Sequence, residues 1–261
     1  MITKTNLIQQ LKGITDTPSL EADWILQETT DDKKIQQIVE RRQKEEPLSK
    51  ILGHRSFWRG DFVVSKDVLD PRPDSETLIR AVLDLVPDKN KPYSFLDIAT
   101  GSGCLLVSLL MEYPNAKGTG LDISPKAIKI AQKNIKLNKV RAFLHRKDMR
   151  VLKLLEGYDF AVSNPPYIPT KELKELKKNV RCFDPKIALD GGKDGLDYYR
   201  VLAKIKNLPL LFVEIGIGQK KAVHQIFLSE HWRLKKTYQD YGGIDRVLVF
   251  SKKLEKSKKI I

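Results

Sequence analysis

Apolar residues recur at helical spacing through the first 46 residues of the chain, in three successive stripes. Pro18 suits the first turn of the second stripe, and the third stripe ends before Pro47. The stripe positions are Leu7, Ile8, Leu11, Leu20, Trp24, Ile25, Ile35, Ile38 and Val39. This pattern predicts a small helical domain over residues 1–46, which would bind a partner or pack against the rest of the chain.

A short segment of apolar and aromatic residues follows, from Phe57 to Val64. Gly60 and Asp61 lie at its centre and are typical turn residues, so the segment predicts a β-hairpin that turns at this pair. The hairpin falls within residues 47–74, which we interpret as a linker to the next domain.

From about residue 75 the chain alternates between apolar runs of strand length and helical segments. Helices are predicted at 75–86, 104–112, 125–137 and 219–228, with Ser124 and Pro125 as the cap and first-turn proline of the third. Strands are predicted at 94–98, 118–121, 141–145, 158–163, 208–215, 233–239 and 246–251. The alternation predicts an α/β fold over residues 75–251, with a parallel sheet covered on both faces and an antiparallel terminal hairpin. Residues 252–261 would form a basic tail.

A glycine-containing loop, DIATGSG, connects the first of these strands to its helix. Glycine lets the backbone approach a ligand, and the helix that follows offers free N–H groups. The dinucleotide pattern GxGxxG fails because Leu106 stands at the third glycine position, and GxxxxGK[ST] is absent. The loop therefore predicts a nucleoside ligand with less negative charge. Its candidate contacts are Asp97, Ala99, Thr100, Gly101, Ser102 and Gly103.

Acidic residues also follow the next two predicted strands. Asp122 ends the second strand, where a carboxylate typically binds ribose hydroxyls; the alternative is that it caps the helix at Ser124. Asp148 and Met149 follow the third strand and would contact an adenine ring, unless residues 147–150 are an ordinary charged turn. Because strand carboxyl ends converge on one crevice, these residues and Ile123 predict a site for S-adenosylmethionine.

The stretch SNPPYIP ends the fourth predicted strand, because proline has no N–H for a sheet ladder. Asn164 offers a side-chain carbonyl and Pro165 a backbone carbonyl, and neither Pro165 nor Pro166 presents a competing donor. Such carbonyls would hold a planar –NH₂ group, with the Tyr167 ring against its flat face, and would stabilise positive charge arriving on nitrogen. These four residues predict methylation of an amide or a base amine; the alternative is a plain turn.

The composition limits other classes of function. The formal net charge of +14 predicts attraction to polyanions such as nucleic acid or the ribosome, or only a solubilising surface. The two cysteines and four scattered histidines show no ligand spacing, so we expect no metal site. No secretory signal and no apolar run of membrane-spanning length is visible, so we expect a cytoplasmic protein without membrane contact.

These stretches together resemble the release factor glutamine methyltransferases, the HemK/PrmC family. The matching residues are 47–53, 57–58, 71–76, 97–103, 163–167, 180–185, 188–196 and 241–249. The NPPY stretch is shared with adenine and guanine amine methyltransferases, whereas the segments RPDSE and ALDGGKDGL are specific to this family. The sequence departs from the family pattern at Ala99, where glycine is usual, at Met149, where an aromatic residue is frequent, and at Asp70, where isoleucine is usual.

The resemblance implies a Rossmann-like class I methyltransferase that uses S-adenosylmethionine to methylate the glutamine amide in the Gly-Gly-Gln loop of peptide chain release factors. It assigns cofactor contacts to the glycine loop, Asp122 and Met149, and substrate contacts to residues 164–167. Arg72 and Glu76 would close over the substrate, unless Asp74 caps a helix and Arg72 lies at the surface. Three alternatives remain: methylation of a ribosomal-protein glutamine, methylation of an exocyclic base amine in RNA or DNA, and a non-catalytic binding protein.

Overall fold

The computed structural model describes residues 2–153 and 155–253, so the predicted basic tail lies outside the described residues from 254 onward. The helices in this part of the chain are α1 (Lys4–Leu11), α2 (Pro18–Glu28), α3 (Asp32–Gln43), α4 (Leu48–Leu52), α5 (Glu76–Leu85), α6 (Cys104–Glu112), α7 (Pro125–Leu137), α8 (Lys178–Arg181), α9 (Asp197–Ala203) and α10 (Lys220–Ser229). The strands are β1 (His54–Phe57), β2 (Gly60–Val63), β3 (Ser94–Ile98), β4 (Lys117–Asp122), β5 (Ala142–Arg146), β6 (Phe160–Ser163), β7 (Leu210–Glu214), β8 (Arg233–Gln239) and β9 (Asp245–Ser251). Short 3₁₀ turns occur at Pro73–Ser75, Met149–Val151, Thr170–Glu175 and Lys186–Ala188.

The first three helices occupy the region whose apolar spacing predicts them. The Thr3 hydroxyl accepts the Asn6 N–H to cap α1, and the Asp31 carboxylate accepts two N–H groups to cap α3. The stripes meet in a small core of their own, made of Leu7, Leu11, Ala22, Ile25, Ile35, Val39 and Leu48. The predicted inward position of Leu20 is wrong, because this side chain is 69% exposed. The helical interpretation of this region is confirmed, whereas its role in partner binding stays a prediction.

The hairpin is also present, but the predicted turn position is wrong. Phe57 pairs with Gly60, so the chain reverses at Trp58 and Arg59 rather than at Gly60 and Asp61. Trp58 adopts a left-handed backbone conformation, with φ of 55°. Gly60 serves packing instead of turning, because a Cβ atom there would lie 2.6 Å from the Asn138 Oδ1 atom.

A seven-stranded sheet forms the centre of the larger part of the molecule, in the order β5-β4-β3-β6-β7-β9-β8. Strands β3 to β7 run parallel, and β9 and β8 close the sheet as an antiparallel hairpin, as the alternation predicts. The chain adds β4 on one side of β3 and β6 on the other, so a crevice opens between the ends of these strands.

Helices cover both faces of this sheet and give it two apolar cores. One contains Phe95 and Phe160, whose rings stack at 5.1 Å, and the other contains Trp232 and Phe227. Along the stretch of chain described, no helix is long and apolar enough to cross a bilayer. The layered α/β architecture is therefore the one predicted, and it fixes where the loops between strands meet.

Candidate active site

A cavity opens beyond the carboxyl ends of β3, β4 and β6, where the order of strands reverses. Most of the predicted site residues line it: Arg72, Ala99, Thr100, Gly101, Ser102, Asp122, Ile123, Asp148, Met149, Asn164 and Pro166. Five others, Asp97, Gly103, Pro165, Tyr167 and Glu76, are not part of its lining.

The glycine loop is held open toward the cavity by contacts on its other side. The Thr100 N–H donates to the Leu121 carbonyl oxygen at 2.9 Å, and the Gly101 N–H donates to Asp122 Oδ2 at 2.9 Å. A Cβ atom on Gly103 would lie 3.1 Å from the Ala131 Cβ atom, which lets the loop and α7 approach closely. A Cβ atom on Gly101 would meet nothing within 4 Å, so this glycine faces open space.

Ala99, where the sequence departs from the pattern it resembles, has an unusual backbone conformation. Its φ angle is 63°, in the left-handed region that an L-residue enters at a cost of about 1 kcal/mol or more. The alanine methyl group is therefore accommodated with backbone strain at the wall of the cavity.

Replacing Ala99 with glycine is expected to raise the free energy of unfolding by about 1 kcal/mol, because glycine adopts this φ without strain. Urea unfolding measures the change. The matched control is Ala222→Gly within α10, where the same chemical change should lower the free energy of unfolding by about 1 kcal/mol. A loss of stability at both positions would show that the Ala99 backbone is not strained.

Asp97 lies beneath the loop and organises it. The carboxylate is fully buried, and its Oδ2 atom accepts from the Thr100 hydroxyl at 2.5 Å and from the Leu106 N–H at 3.2 Å. Its Oδ1 atom has no hydrogen-bond partner, and burial raises the pKa of this carboxyl to about 7. Asp97 thus supports the loop at the first turn of α6 rather than facing the cavity itself.

Asp122 lies at the cavity and also accepts hydrogen bonds from the loops on either side of it. It lines the cavity, and its two oxygens also accept the N–H groups of Gly101 and Ser124 at 2.9 and 2.8 Å. The helix cap itself comes from the Ser124 hydroxyl, which accepts the Ala127 N–H. Burial raises the pKa of the Asp122 carboxyl, while these N–H groups lower it. Each carboxylate oxygen has further lone pairs, so the group remains able to accept from a ligand.

The Asp148 and Met149 pair combines a charged turn with a cavity wall. Asp148 forms a bidentate ion pair with Arg150, and this hydrogen bonding lowers the pKa of Asp148. Met149 is 7% exposed and contributes an apolar surface. Residues 147–150 therefore form a charged turn at the cavity wall, and their contact with an adenine ring stays a prediction.

Asn164 begins directly after β6, and its side chain is held in one orientation. The Nδ2 group donates to the Ser75 hydroxyl oxygen at 3.0 Å, and Asn164 contributes to the cavity wall. Pro165 and Pro166 are buried, and β6 ends at Ser163, as the two prolines predict. We call residues 164–167 the substrate strip.

A second loop packs against the backbone of the substrate strip. Cβ atoms on Gly191 and Gly195 would lie 2.8 Å from the Tyr167 backbone and 2.4 Å from its carbonyl oxygen, so only glycine fits at either place. The Ile168 N–H donates to the Leu189 carbonyl oxygen at 3.0 Å, and the Gly191 N–H donates back to Ile168 at 2.8 Å. These contacts give the ALDGGKDGL segment a structural role: it holds the backbone of the substrate strip in place at Tyr167.

A buried charge cluster lies beside the cavity; it comprises Lys50, Asp70, Arg72 and Asp184 and is called the Lys50 cluster below. The Lys50 Nζ atom lies 2.8 Å from Asp70 Oδ1 and 3.1 Å from Asp184 Oδ1. Arg72 Nη2 donates to Asp184 Oδ2 at 2.6 Å. Asp70, which replaces the family's isoleucine, is thus matched by a buried lysine. Arg72 belongs to this cluster as well as to the cavity wall.

Glu76, one of the five predicted site residues outside the cavity lining, contacts the hairpin instead. Its carboxylate accepts the Trp58 N–H at 2.9 Å and so joins α5 to the hairpin. In turn, the cavity wall includes Ile187 and Tyr198, which the sequence analysis did not select. Ile187 lies in the 3₁₀ turn Lys186–Ala188 and Tyr198 in the first turn of α9, and no local pattern in the sequence places either residue at the cavity.

The donor and acceptor set of the cavity fits S-adenosylmethionine. Apolar walls from Ala99, Ile123 and Met149 would suit an adenine ring, and Asp122 supplies a carboxylate for hydroxyl groups. The glycine loop itself contains no lysine or arginine for a phosphate. Across residues 2–153 and 155–253, no three His, Cys, Asp or Glu side chains are arranged to hold a metal ion.

Comparison with known proteins gives the family. The family model described as "Methyltransferase small domain" matches residues 57–180. A protein named release factor glutamine methyltransferase from Rhodospirillum rubrum is 43% identical over 195 residues, which cover 72% of this chain and 59% of that protein. One of the same name from Caulobacter vibrioides is 39% identical over 223 residues, which cover 82% of this chain and 76% of that protein. A solved methyltransferase from Pyrococcus furiosus, 17% identical, has the same fold, with a TM-score of 0.53 over 76% of this chain and 92% of that one. The chain therefore belongs to the release factor glutamine methyltransferase family.

Proposed function

We propose that this protein methylates the side-chain amide of the glutamine in the Gly-Gly-Gln loop of peptide chain release factors. Family membership supports the substrate. The observation that carries the chemistry is the fixed Asn164 side chain at the cavity: Ser75 accepts from its Nδ2 group, which leaves its carbonyl oxygen to accept from a substrate amide.

S-adenosylmethionine, when bound, supplies an electrophilic methyl group. The chain holds the nucleophile: Asn164 Oδ1 and the Pro165 carbonyl oxygen would accept the two hydrogens of the glutamine –NH₂, and Tyr167 would contact its flat face. An amide nitrogen is a weak nucleophile, so alignment and fixed carbonyl dipoles are what these residues can contribute. Pro166 also lines the cavity.

On the cofactor side, the glycine loop, Asp122 and Met149 would hold the nucleoside. Asp122 would accept from the ribose hydroxyls, while Ile123 and Met149 would enclose the adenine ring and Asp148 would face its amine. Ala99, Thr100, Gly101 and Ser102 would bring the backbone close to the cofactor, with Asp97 and Gly103 fixing the loop from behind.

Contacts with macromolecular partners would involve the cavity wall, the N-terminal helices and the basic surface. We infer that Arg72 approaches the release factor from the cavity wall, and that the helices within residues 1–46 contact the same partner. The net charge of +14 supports a weak contact with nucleic acid or the ribosome. Release factors act at the ribosome, so we place the reaction in the cytoplasm.

The test uses the full-length protein, S-adenosylmethionine with a labelled methyl group, and a purified release factor. We expect one labelled methyl group on the peptide that contains Gly-Gly-Gln, located by mass spectrometry. A release factor with asparagine in place of that glutamine is the matched control and should stay unlabelled. Label only on a ribosomal protein, only on RNA or DNA, or on nothing would overturn the proposal.

A further inference from the structure

A buried carboxylate, Glu214, ends β7 next to the substrate strip. Strand β7 pairs with β6 through Ser163 and Val213, so the residues that follow each strand are neighbours at the same edge of the sheet. Glu214 is 2% exposed, and its Oε2 atom has no hydrogen-bond partner among residues 2–153 and 155–253. A buried carboxylate without an ion partner of its own is destabilising, so its presence here calls for a functional reason.

The groups around Glu214 lead to Asn164. Ser75, only 3% exposed, accepts from Asn164 Nδ2 at 3.0 Å. Burial raises the pKa of Glu214 to about 7, while hydrogen bonding from Ser75, the charge of Arg246 and hydrogen bonding from Asn164 lower it. Ser75 and Asn164 therefore both donate toward the Glu214 carboxylate.

The other charged and titratable groups near Glu214 leave it without a dedicated cation. Arg246, on β9, lies 2.9 Å from Asp240 and 3.1 Å from Asp74, which already neutralise it. The Tyr199 hydroxyl, on α9, donates to the Glu214 backbone carbonyl at 3.0 Å. Tyr167 and Cys104 are the remaining titratable neighbours, and burial raises the pKa of both, so both stay neutral.

We propose that Glu214 is a positioning residue for the methyl transfer: together with Ser75 it accepts from the Asn164 amide nitrogen and so turns the Asn164 carbonyl oxygen toward the substrate. This inference rests on the proposed function and adds a residue to it. Such a partner is needed because the oxygen and nitrogen ends of an amide group have nearly the same shape, so packing alone does not fix which end faces the substrate. If Asn164 flipped, its –NH₂ would face the substrate –NH₂, donor against donor, and the nucleophile would lose its acceptor.

An ionised carboxylate is suited to this task because it can only accept hydrogen bonds. A glutamine at the same place keeps the size of the side chain but presents an –NH₂ group to one of the two donors. A protonated glutamate does the same with its O–H group. Both changes would favour the flipped Asn164, so they should affect turnover in the same way.

The experiment compares Glu214→Gln with the wild type by methyl transfer to a purified release factor. We expect the turnover number to fall about 10- to 100-fold, with cofactor affinity unchanged by calorimetry. The wild-type turnover number should also fall as the pH drops from about 8 to about 6, and this dependence should be absent from Glu214→Gln. The control is Glu112→Gln, another buried carboxylate, 4% exposed and ion-paired with Lys89 and Arg59. It should keep the wild-type turnover number and pH profile.

A double variant tests whether Glu214 acts through Asn164. In an Asn164→Ala background, adding Glu214→Gln should change turnover by less than about 2-fold, because the group it positions is gone. Wild-type turnover in Glu214→Gln, an unchanged acid limb in that variant, or a full multiplicative loss in the double variant would each overturn the inference. If the wild-type protein methylated no release factor at all, the proposed function would fail instead. Thermal unfolding of each variant confirms that the comparison is made on folded protein.

Discussion

Replacing Asn164 with alanine is expected to lower the turnover number about 10²-fold or more, with cofactor affinity little changed. The hydrogen bond to Ser75 fixes the Asn164 side chain, and its carbonyl oxygen is the proposed acceptor for the substrate amide. Alanine has no such group. The other cofactor contacts proposed above follow β3, β4 and β5, and the substitution does not touch them. Initial rates at saturating substrate and calorimetry with cofactor measure the two quantities separately.

The control for this change is Asn138→Ala. Asn138 is an asparagine at the end of α7 whose amide donates to the Asp61 carbonyl oxygen at 2.9 Å, so it also serves a hydrogen bond but lies outside the cavity lining. It should keep wild-type turnover. A parallel loss of cofactor affinity in Asn164→Ala would assign this residue to cofactor binding instead.

Replacing Lys50 with methionine is expected to lower the free energy of unfolding by about 3–5 kcal/mol. The ammonium group is the shared cation of two buried carboxylates, and it also donates to the carbonyl oxygens of Ser65 and Val68 at 2.7 and 2.5 Å. Without it, Asp70 keeps no ion pair within the described residues and Asp184 keeps only the ion pair with Arg72, while Arg55 acts on both carboxylates from a longer distance. Chemical unfolding near neutral pH measures the loss.

Two comparisons show whether buried charge is the cause. Lys126→Met removes an ion pair with Asp67 whose lysine side chain is 67% exposed, and such pairs contribute only about 0–1 kcal/mol. The deficit of Lys50→Met should also shrink at acid pH, because burial raises the pKa of Asp184 and the protonated carboxyl needs no cation. A deficit that is equal at both pH values would point to lost packing rather than uncompensated charge.

The regular parts of the fold are predictable because their signals are local. The bounds of α6 and α7 follow from apolar spacing together with Ser124 and Pro125, and β8 coincides with its predicted range. The predicted position of the hairpin turn is wrong. Glycine is typical of turns, but at position 60 it is needed because Asn138, distant in the sequence, packs closely against it. Helix α9 follows a loop rich in glycine and aspartate, and the sequence analysis made no prediction for it.

The candidate site likewise contains residues that the sequence predicts and residues that it does not. Residues that follow predicted strands, such as Asp122 and Asn164, could be placed from the rule that strand ends converge. Partners that come from distant segments could not: Asn164 and Ser75 are 89 residues apart, and Arg72 and Asp184 are 112 apart. Pairing across such distances leaves no period or spacing in the sequence, so Glu214 and the Lys50 cluster emerge only from the folded chain.

The contact between the substrate strip and Gly191 and Gly195 has a consequence for how relatives of this protein can diverge. The substrate strip and the ALDGGKDGL segment are separate in the sequence but pack directly against each other. A bulkier residue in one segment therefore requires a compensating change in the other. The chain between them is under no such restriction at residues 171–177, where no side chain is buried. Insertions and deletions during evolution should accumulate there, because that stretch can change length while the catalytic geometry stays the same.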